Sequence, residues 1–302
     1  MRKKEITSYK SFLQNLLCGC VIILVITLGG FGYSKEKRGA RIGNQLLLQA
    51  IGDWSYRQTN FYLDNYDFFG GWSTAKLVWY NDSIHFGIFI TAIIAQSNRG
   101  KSWENNYVFG LGVEKYIFED LKKIYGFFKN IRFYLEYLKI EYTNEEAEEW
   151  IPTYNVRIGF DVYKDYGIGK DKVNKRLWGE VWGNIGWQKT NFYIKDYNSI
   201  VAGVNIKTGF RLLKNTPLSP MPYLVGEASW TSRHNFFWQN RGFLGIGLRL
   251  MPFAKSNLDL WNRFKFFAEY FFTVVYFKDK PQTSIPDYDF RVGINYSIGL
   301  WK

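Results

Sequence analysis

The sequence predicts an all-β fold: a twelve-stranded antiparallel transmembrane β-barrel built from two six-stranded repeats. Three observations predict it. Apolar and polar residues alternate with period two over stretches much longer than ordinary strands. The chain repeats itself at a nearly constant offset. Aromatic residues form 20% of the 302 residues, with 26 Phe, 22 Tyr and 12 Trp. Many stand at the ends of the alternating stretches, where a barrel meets the membrane interface.

The alternation is clearest in the last stretch, Asp287 to Trp301. Tyr288, Phe290, Val292, Ile294, Tyr296, Ile298 and Leu300 share one parity; Asp289, Arg291, Gly293, Asn295, Ser297 and Gly299 share the other. A globular strand averages about five or six residues, whereas a strand that crosses a bilayer needs about nine to eleven. The same pattern predicts strands near 45–58, 72–80, 83–96, 105–118, 130–142 and 153–165, then 176–189, 199–213, 222–232, 240–253, 263–277 and 287–302.

The repeat joins these into two sets of six. Thr59-Asn60-Phe61-Tyr62-Leu63 returns as Thr190-Asn191-Phe192-Tyr193-Ile194. Trp103-Glu104-Asn105 with Gly110-Leu111-Gly112 returns as Trp238-Gln239-Asn240 with Gly245-Ile246-Gly247. Phe133-Tyr134-Leu135-Glu136-Tyr137 returns as Phe266-Phe267-Ala268-Glu269-Tyr270, and Ile151-Pro152-Thr153-Tyr154 as Ile285-Pro286-Asp287-Tyr288. The halves predicted are about 40–170 and 171–302.

Residues 1–34 read differently. Arg2, Lys3, Lys4 and Lys10 precede an apolar run from Leu16 to Phe31, and Gly32-Tyr33-Ser34 follows it. That order predicts a signal peptide cleaved after Ser34; a retained transmembrane anchor is the rival reading. Leu17-Cys18-Gly19-Cys20 is loosely like a lipoprotein box, but the main apolar run follows Cys20. Domain organisation is therefore 1–34 as signal peptide and 35–302 as barrel. Both cysteines leave with the signal, so the remainder has no disulfide and no thiolate ligand. Its formal charge is 35 − 26 = +9. With only two histidines in the whole chain, no metal site and no cofactor are expected.

Alternation alone fits a soluble β-sandwich as well as a membrane barrel. Strand length, the leader and aromatics at strand ends (Trp54, Trp79, Trp187, Trp230 and Tyr288) favour the barrel, with its apolar face outward. At this point the chain resembles the outer-membrane β-barrels of Gram-negative bacteria. Their last strand commonly carries a polar residue, a Gly two later, and two large hydrophobics at alternating positions. Arg291, Gly293, Tyr296 and Ile298 fit, although the class usually ends in Phe and this chain ends Leu300-Trp301-Lys302. A looser resemblance, through strand style and Leu250-Met251-Pro252-Phe253, is to barrel domains of exopolysaccharide-export and phage-adsorption proteins. The class resemblance implies outer-membrane lipid, lipopolysaccharide and the barrel-assembly machinery as partners. It also places the C-terminal end in the periplasm, so that 61–71, 97–104, 143–152, 190–198, 233–239 and 278–286 face outward.

The inward parity holds the candidate site. Its acids are Asp53, Glu114, Glu136, Asp161, Glu180, Glu227, Glu269 and Asp289; its bases are Lys76, Arg132, Arg157, Lys207, Arg211, Arg249, Lys265 and Arg291. Glu114, Glu136 and Arg157 lie on consecutive strands, with Arg249, Glu269 and Arg291 as repeat counterparts. This predicts a charge network bridged across the ladder. It reads either as a structural network that stiffens the barrel or as the wall of a conducting lumen. Trp178 and Trp182 are candidate surfaces for stacking a sugar, or else fill lumen volume; Trp301, Tyr116 and Tyr134 share their parity. The function expected is passive passage of a small solute or oligosaccharide. The alternatives are a closed structural or envelope-assembly barrel linked to exopolysaccharide secretion and, third, an outer-membrane lipid-modifying enzyme. The enzyme reading has little to build on: His85, with Ser83 nearby, and His234, with Ser232, supply no nucleophile–base–orienter set. Glu145-Glu146-Ala147-Glu148-Glu149 lacks the spacing of a calcium loop. Scattered Lys and Arg without a recognition motif argue against nucleic acid.

Overall fold

A computed structural model describes residues 44–59, 66–98, 105–118, 130–142, 153–167, 175–192, 195–213, 216, 218–233, 240–255, 263–276 and 288–301. Residues 1–34, the expected signal peptide with both cysteines, lie outside them, as do His234 and the acidic run 145–149.

Twelve strands form one closed antiparallel barrel. They are β1 (Asn44–Thr59), β2 (Tyr66–Asn81), β3 (Phe86–Ser97), β4 (Asn106–Tyr116), β5 (Ile131–Tyr142), β6 (Tyr154–Tyr166), β7 (Leu177–Phe192), β8 (Lys195–Phe210), β9 (Met221–Thr231), β10 (Arg241–Leu250), β11 (Lys265–Tyr276) and β12 (Asp289–Trp301). Each strand pairs with the next, and β1 pairs with β12 from Leu47↔Trp301 to Thr59↔Asp289. Closure leaves no strand as a free edge.

The strand boundaries differ from expectation where glycine or proline misleads. β2 starts at Tyr66 and not at 72. Gly70-Gly71 reads as a loop, yet Gly70 pairs with Ser55 and Ser97 and Gly71 with Trp54 and Gln96. A barrel wall tolerates glycine because both neighbouring strands hold the backbone. Thr190-Asn191-Phe192 continues β7 instead of forming a connection, and β8 starts at Lys195. β10 ends at Leu250, one residue before Met251-Pro252; Pro252 lacks the N–H a ladder needs. Between Leu244 and Gly245 the register with β11 shifts, leaving Phe272 as an extra residue. The β2–β3 turn is tight. The Asn81 side-chain oxygen accepts the N–H groups of Ser83 (3.0 Å) and Ile84 (3.3 Å), and His85 takes a left-handed φ of 51°.

The side chains sort by parity. Leu46, Ile90, Leu111, Phe160, Ile206 and Leu224 point out of the barrel and are exposed. Trp54, Trp79, Trp187 and Trp230 share that outward face in the strand register, and Tyr288 stacks on the outward Tyr270 at 6.3 Å. An apolar exterior of this extent is stable against hydrocarbon and costly against water. On that face Tyr296 lies over Gly52, whose Cβ would overlap its ring, and its hydroxyl donates to Ser73 Oγ at 2.7 Å. The Trp54 indole N–H donates to the same oxygen at 2.8 Å, so the seam between β12, β1 and β2 is fastened from outside.

A charge-crossed lumen as the candidate functional site

Inside the barrel three bonded groups form. On the wall of β2–β6, Glu114 accepts from Lys76 and from Arg132 Nη1 at 2.7 Å. Arg132 also grips Asp161, with Nε at 2.9 Å. Glu136 meets Arg157, its partner in register, at 3.0 Å. These contacts follow the curvature of the wall.

The second group crosses the lumen. Glu180 on β7 accepts from Arg249 Nη2 on β10 at 2.9 Å and from Lys265 on β11. Glu269 on β11 accepts from Lys207 on β8 and from the Tyr223 hydroxyl on β9. None of these partners is on an adjacent strand, so the pairs pinch the barrel between β7–β8 and β10–β11. Tyr223 can take its place because residue 247, opposite it in the ladder, is Gly; a Cβ there would fall within the Tyr223 ring.

A third group joins β1, β9 and β12. Asp289 accepts from Arg57 and from Arg291 Nε at 2.9 Å, and Arg291 Nη1 reaches Glu227 at 3.3 Å. Arg57 has the same parity as Asp53 and Ser55. Parity counting from Asp53 is the signal that finds it.

All six predicted network residues thus face the lumen, but their partners differ from expectation. Glu136 and Arg157 pair directly. Glu114 bonds Lys76 and Arg132 and not Arg157. Glu269 bonds Lys207 and Tyr223, while its register partner Arg291 turns to Asp289 and Glu227. Arg249 bonds Glu180. Sequence counting gives strand order and parity; it does not give the inclination of a side chain across an open interior.

Apolar clusters fill one end of the lumen, where the β2–β3 turn, Gly167, Arg176 and Arg211 lie. Leu47, Val78, Tyr80 and Phe89 pack with Tyr116. Trp178, Met221, Tyr223, Val225, Phe243 and Phe271 form a larger cluster with Met251 and Ala254. Trp178 is only 1% exposed. Arg249 covers its ring at 4.3 Å and Tyr223 meets it edge-on at 5.2 Å. Its faces are occupied by protein, so it packs and offers no stacking surface here. Trp182 differs: it is 43% exposed although its parity is inward. Tyr163 (44%), Trp72 (41%) and Ile51 (40%) are likewise inward and open. Trp72 has the parity of Lys76 within the expected strand 72–80, so its inward side is countable. Tyr163 was legible as the inward neighbour of Asp161.

A closed antiparallel barrel with an even strand number, an apolar exterior, outward aromatics towards both ends and a charged interior defines the outer-membrane type of β-barrel. Neither a protein-family model nor a curated protein sequence matches the chain. Solved structures similar to it include the beta domain of the Bordetella autotransporter BrkA, at 10% identity over 85% of this chain and 100% of that one, with a TM-score of 0.39. The KdgM porin is 11% identical over 82% of this chain and 99% of its own, with a TM-score of 0.35. An outer membrane channel from Pseudomonas putida F1 is 6% identical over 88% and 99%, with a TM-score of 0.38.

Proposed function

We propose that this chain resides in a bacterial outer membrane and provides a narrow, nearly charge-balanced lumen for a small solute, with a saccharide as the solute class that fits its aromatic surfaces. One observation carries the reading: Ile51, Trp72, Tyr163 and Trp182 point inward and are each 40% exposed or more. Inward side chains with that much free surface border open lumen; in a filled barrel they would be covered as Trp178 is. Aromatic faces stack on the apolar faces of sugar rings, and the surrounding Asn184, Asn205 and Asp161 offer polar partners of the same parity. The ion pairs between β7–β8 and β10–β11 narrow the section beside Trp182. Lipopolysaccharide and outer-membrane lipid would contact the outward aromatics, and the barrel-assembly machinery would insert the chain.

The second reading is a closed structural or envelope-assembly barrel. The packed clusters around Trp178 and around Val78 favour it. Planar-bilayer conductance of the purified, refolded protein separates the two. Small, steady steps with weak ion selectivity, blocked by an oligosaccharide and less so in Trp182→Ala, fit the channel. A folded barrel that never conducts overturns it and leaves the scaffold.

A further inference from the structure

We propose that the end of the lumen between β7 and β10 holds a binding site for a phosphate-type oxoanion, formed by Arg211 and Arg249 with the indole N–H of Trp178. Arg211 follows β8 directly and continues its inward parity; its backbone N–H donates to Arg176 O at 2.8 Å. The side chain is 1% exposed. Among the described residues its side chain makes one bond, a long one from Nη2 to the Gly167 carbonyl at 3.4 Å. Among the described residues its Nε and Nη1 have no acceptor, and neither do Nε and Nη1 of Arg249, nor Nε1 of Trp178. These donors lie together: the Arg249 guanidinium is over the Trp178 ring, Gly167 abuts Trp178, and burial and the nearby Arg249 charge lower the Arg211 pKa from its ordinary value.

Buried N–H groups are nearly always paired, and a buried guanidinium without a carboxylate is costly. Five such donors on three adjoining side chains therefore require an explanation. The bonded acids do not supply one. Glu180 is taken by Arg249 and Lys265, and Glu269 by Lys207 and Tyr223; among the described residues no carboxylate bonds Arg211. An oxoanion meets both needs at once. Guanidinium forks match two oxygens of a phosphate, its charge offsets that of Arg211, and the indole donates to a third oxygen. The site does not depend on the lumen conducting, because it lies at one end and needs access from that side only.

The test uses the whole refolded barrel in detergent. Inorganic phosphate and, separately, short-chain phosphatidic acid are titrated by calorimetry at constant ionic strength, with chloride as the control anion. The site predicts saturable one-to-one binding of phosphate and none of chloride. Arg211→Met should weaken binding by about tenfold or more, while raising the melting temperature of the unliganded barrel because an unpaired buried charge is gone. Trp178→Phe keeps the packing and removes one donor, so a loss of several fold is expected. Saturation by the lipid alone would assign the anion to a headgroup. Failure of both ligands to saturate the folded wild type, or equal binding by Arg211→Met, overturns the proposal.

Discussion

The two sides of the lumen use the same row of residues to opposite ends. In the first six strands Gly112, Glu136 and Arg157 are partners in register across β4, β5 and β6; in the last six, Gly247, Glu269 and Arg291 are partners across β10, β11 and β12. Yet Glu136 stays with its neighbour, whereas Glu269 reaches to Lys207 and Tyr223. The difference lies in what surrounds each row. At the position corresponding to Glu114 the second half has Arg249, and at that corresponding to Asp161 it has Asn295. On the first wall Lys76, Arg132 and Arg157 face Glu114, Glu136 and Asp161, three against three, and the charges are satisfied locally. At those two positions the second row carries a base and an amide where the first carries acids. Its carboxylates are drawn towards cations on distant strands, which pinches the lumen on that side.

The comparison can be broken most severely at Glu180, which alone holds both Arg249 and Lys265. Glu180→Gln leaves two buried cations beside Arg211 and should cost about 3–5 kcal/mol, read as a large fall in the temperature of the heat-induced gel-mobility shift. Glu114→Gln is the matched change on the first wall. Arg132 keeps Asp161 there and only Lys76 loses its carboxylate, so a loss of about 2–3 kcal/mol is expected. Gly247→Ala should cost about 1–3 kcal/mol as overpacking, because the Tyr223 hydroxyl is tied to Glu269 and its ring cannot yield freely; Tyr223→Phe combined with it should recover part of the loss. Glu136→Gln is the mildest of the charge changes. Arg157 is about a third exposed to lumen water, and such a pair is worth about 1 kcal/mol or less. Equal losses for Glu180→Gln and Glu136→Gln would remove the distinction between the two walls. Trp182→Ala should leave stability nearly unchanged, since the ring is largely uncovered, while raising single-channel conductance.

Much of this molecule is legible from residue order. Period two fixes which side chains face lipid, because a strand in a closed sheet has only two faces and hydrocarbon accepts only one kind. Hence the long alternation from Tyr288 to Tyr296 locates β12, and the inward parity of Glu114, Glu136, Arg157, Arg249, Glu269 and Arg291 is countable by hand. Gly70-Gly71 misled because glycine marks a turn when isolated and a tolerated wall position when flanked by two strands. What parity cannot supply is reach. Whether Glu269 bonds Arg291 beside it or Lys207 three strands away depends on the section of the barrel and on which cations the far wall presents. The open faces of Trp182 and Trp72 and the covered ring of Trp178 are equally invisible to it, since three inward tryptophans read alike along the chain. The sequence by itself determined the strands, their faces and the charge of the interior, because these follow from local periodicity. Only the tertiary structure decided which charges meet, which side of the lumen is pinched and which arginine is left without a carboxylate, because those depend on distances across a space that no single strand spans.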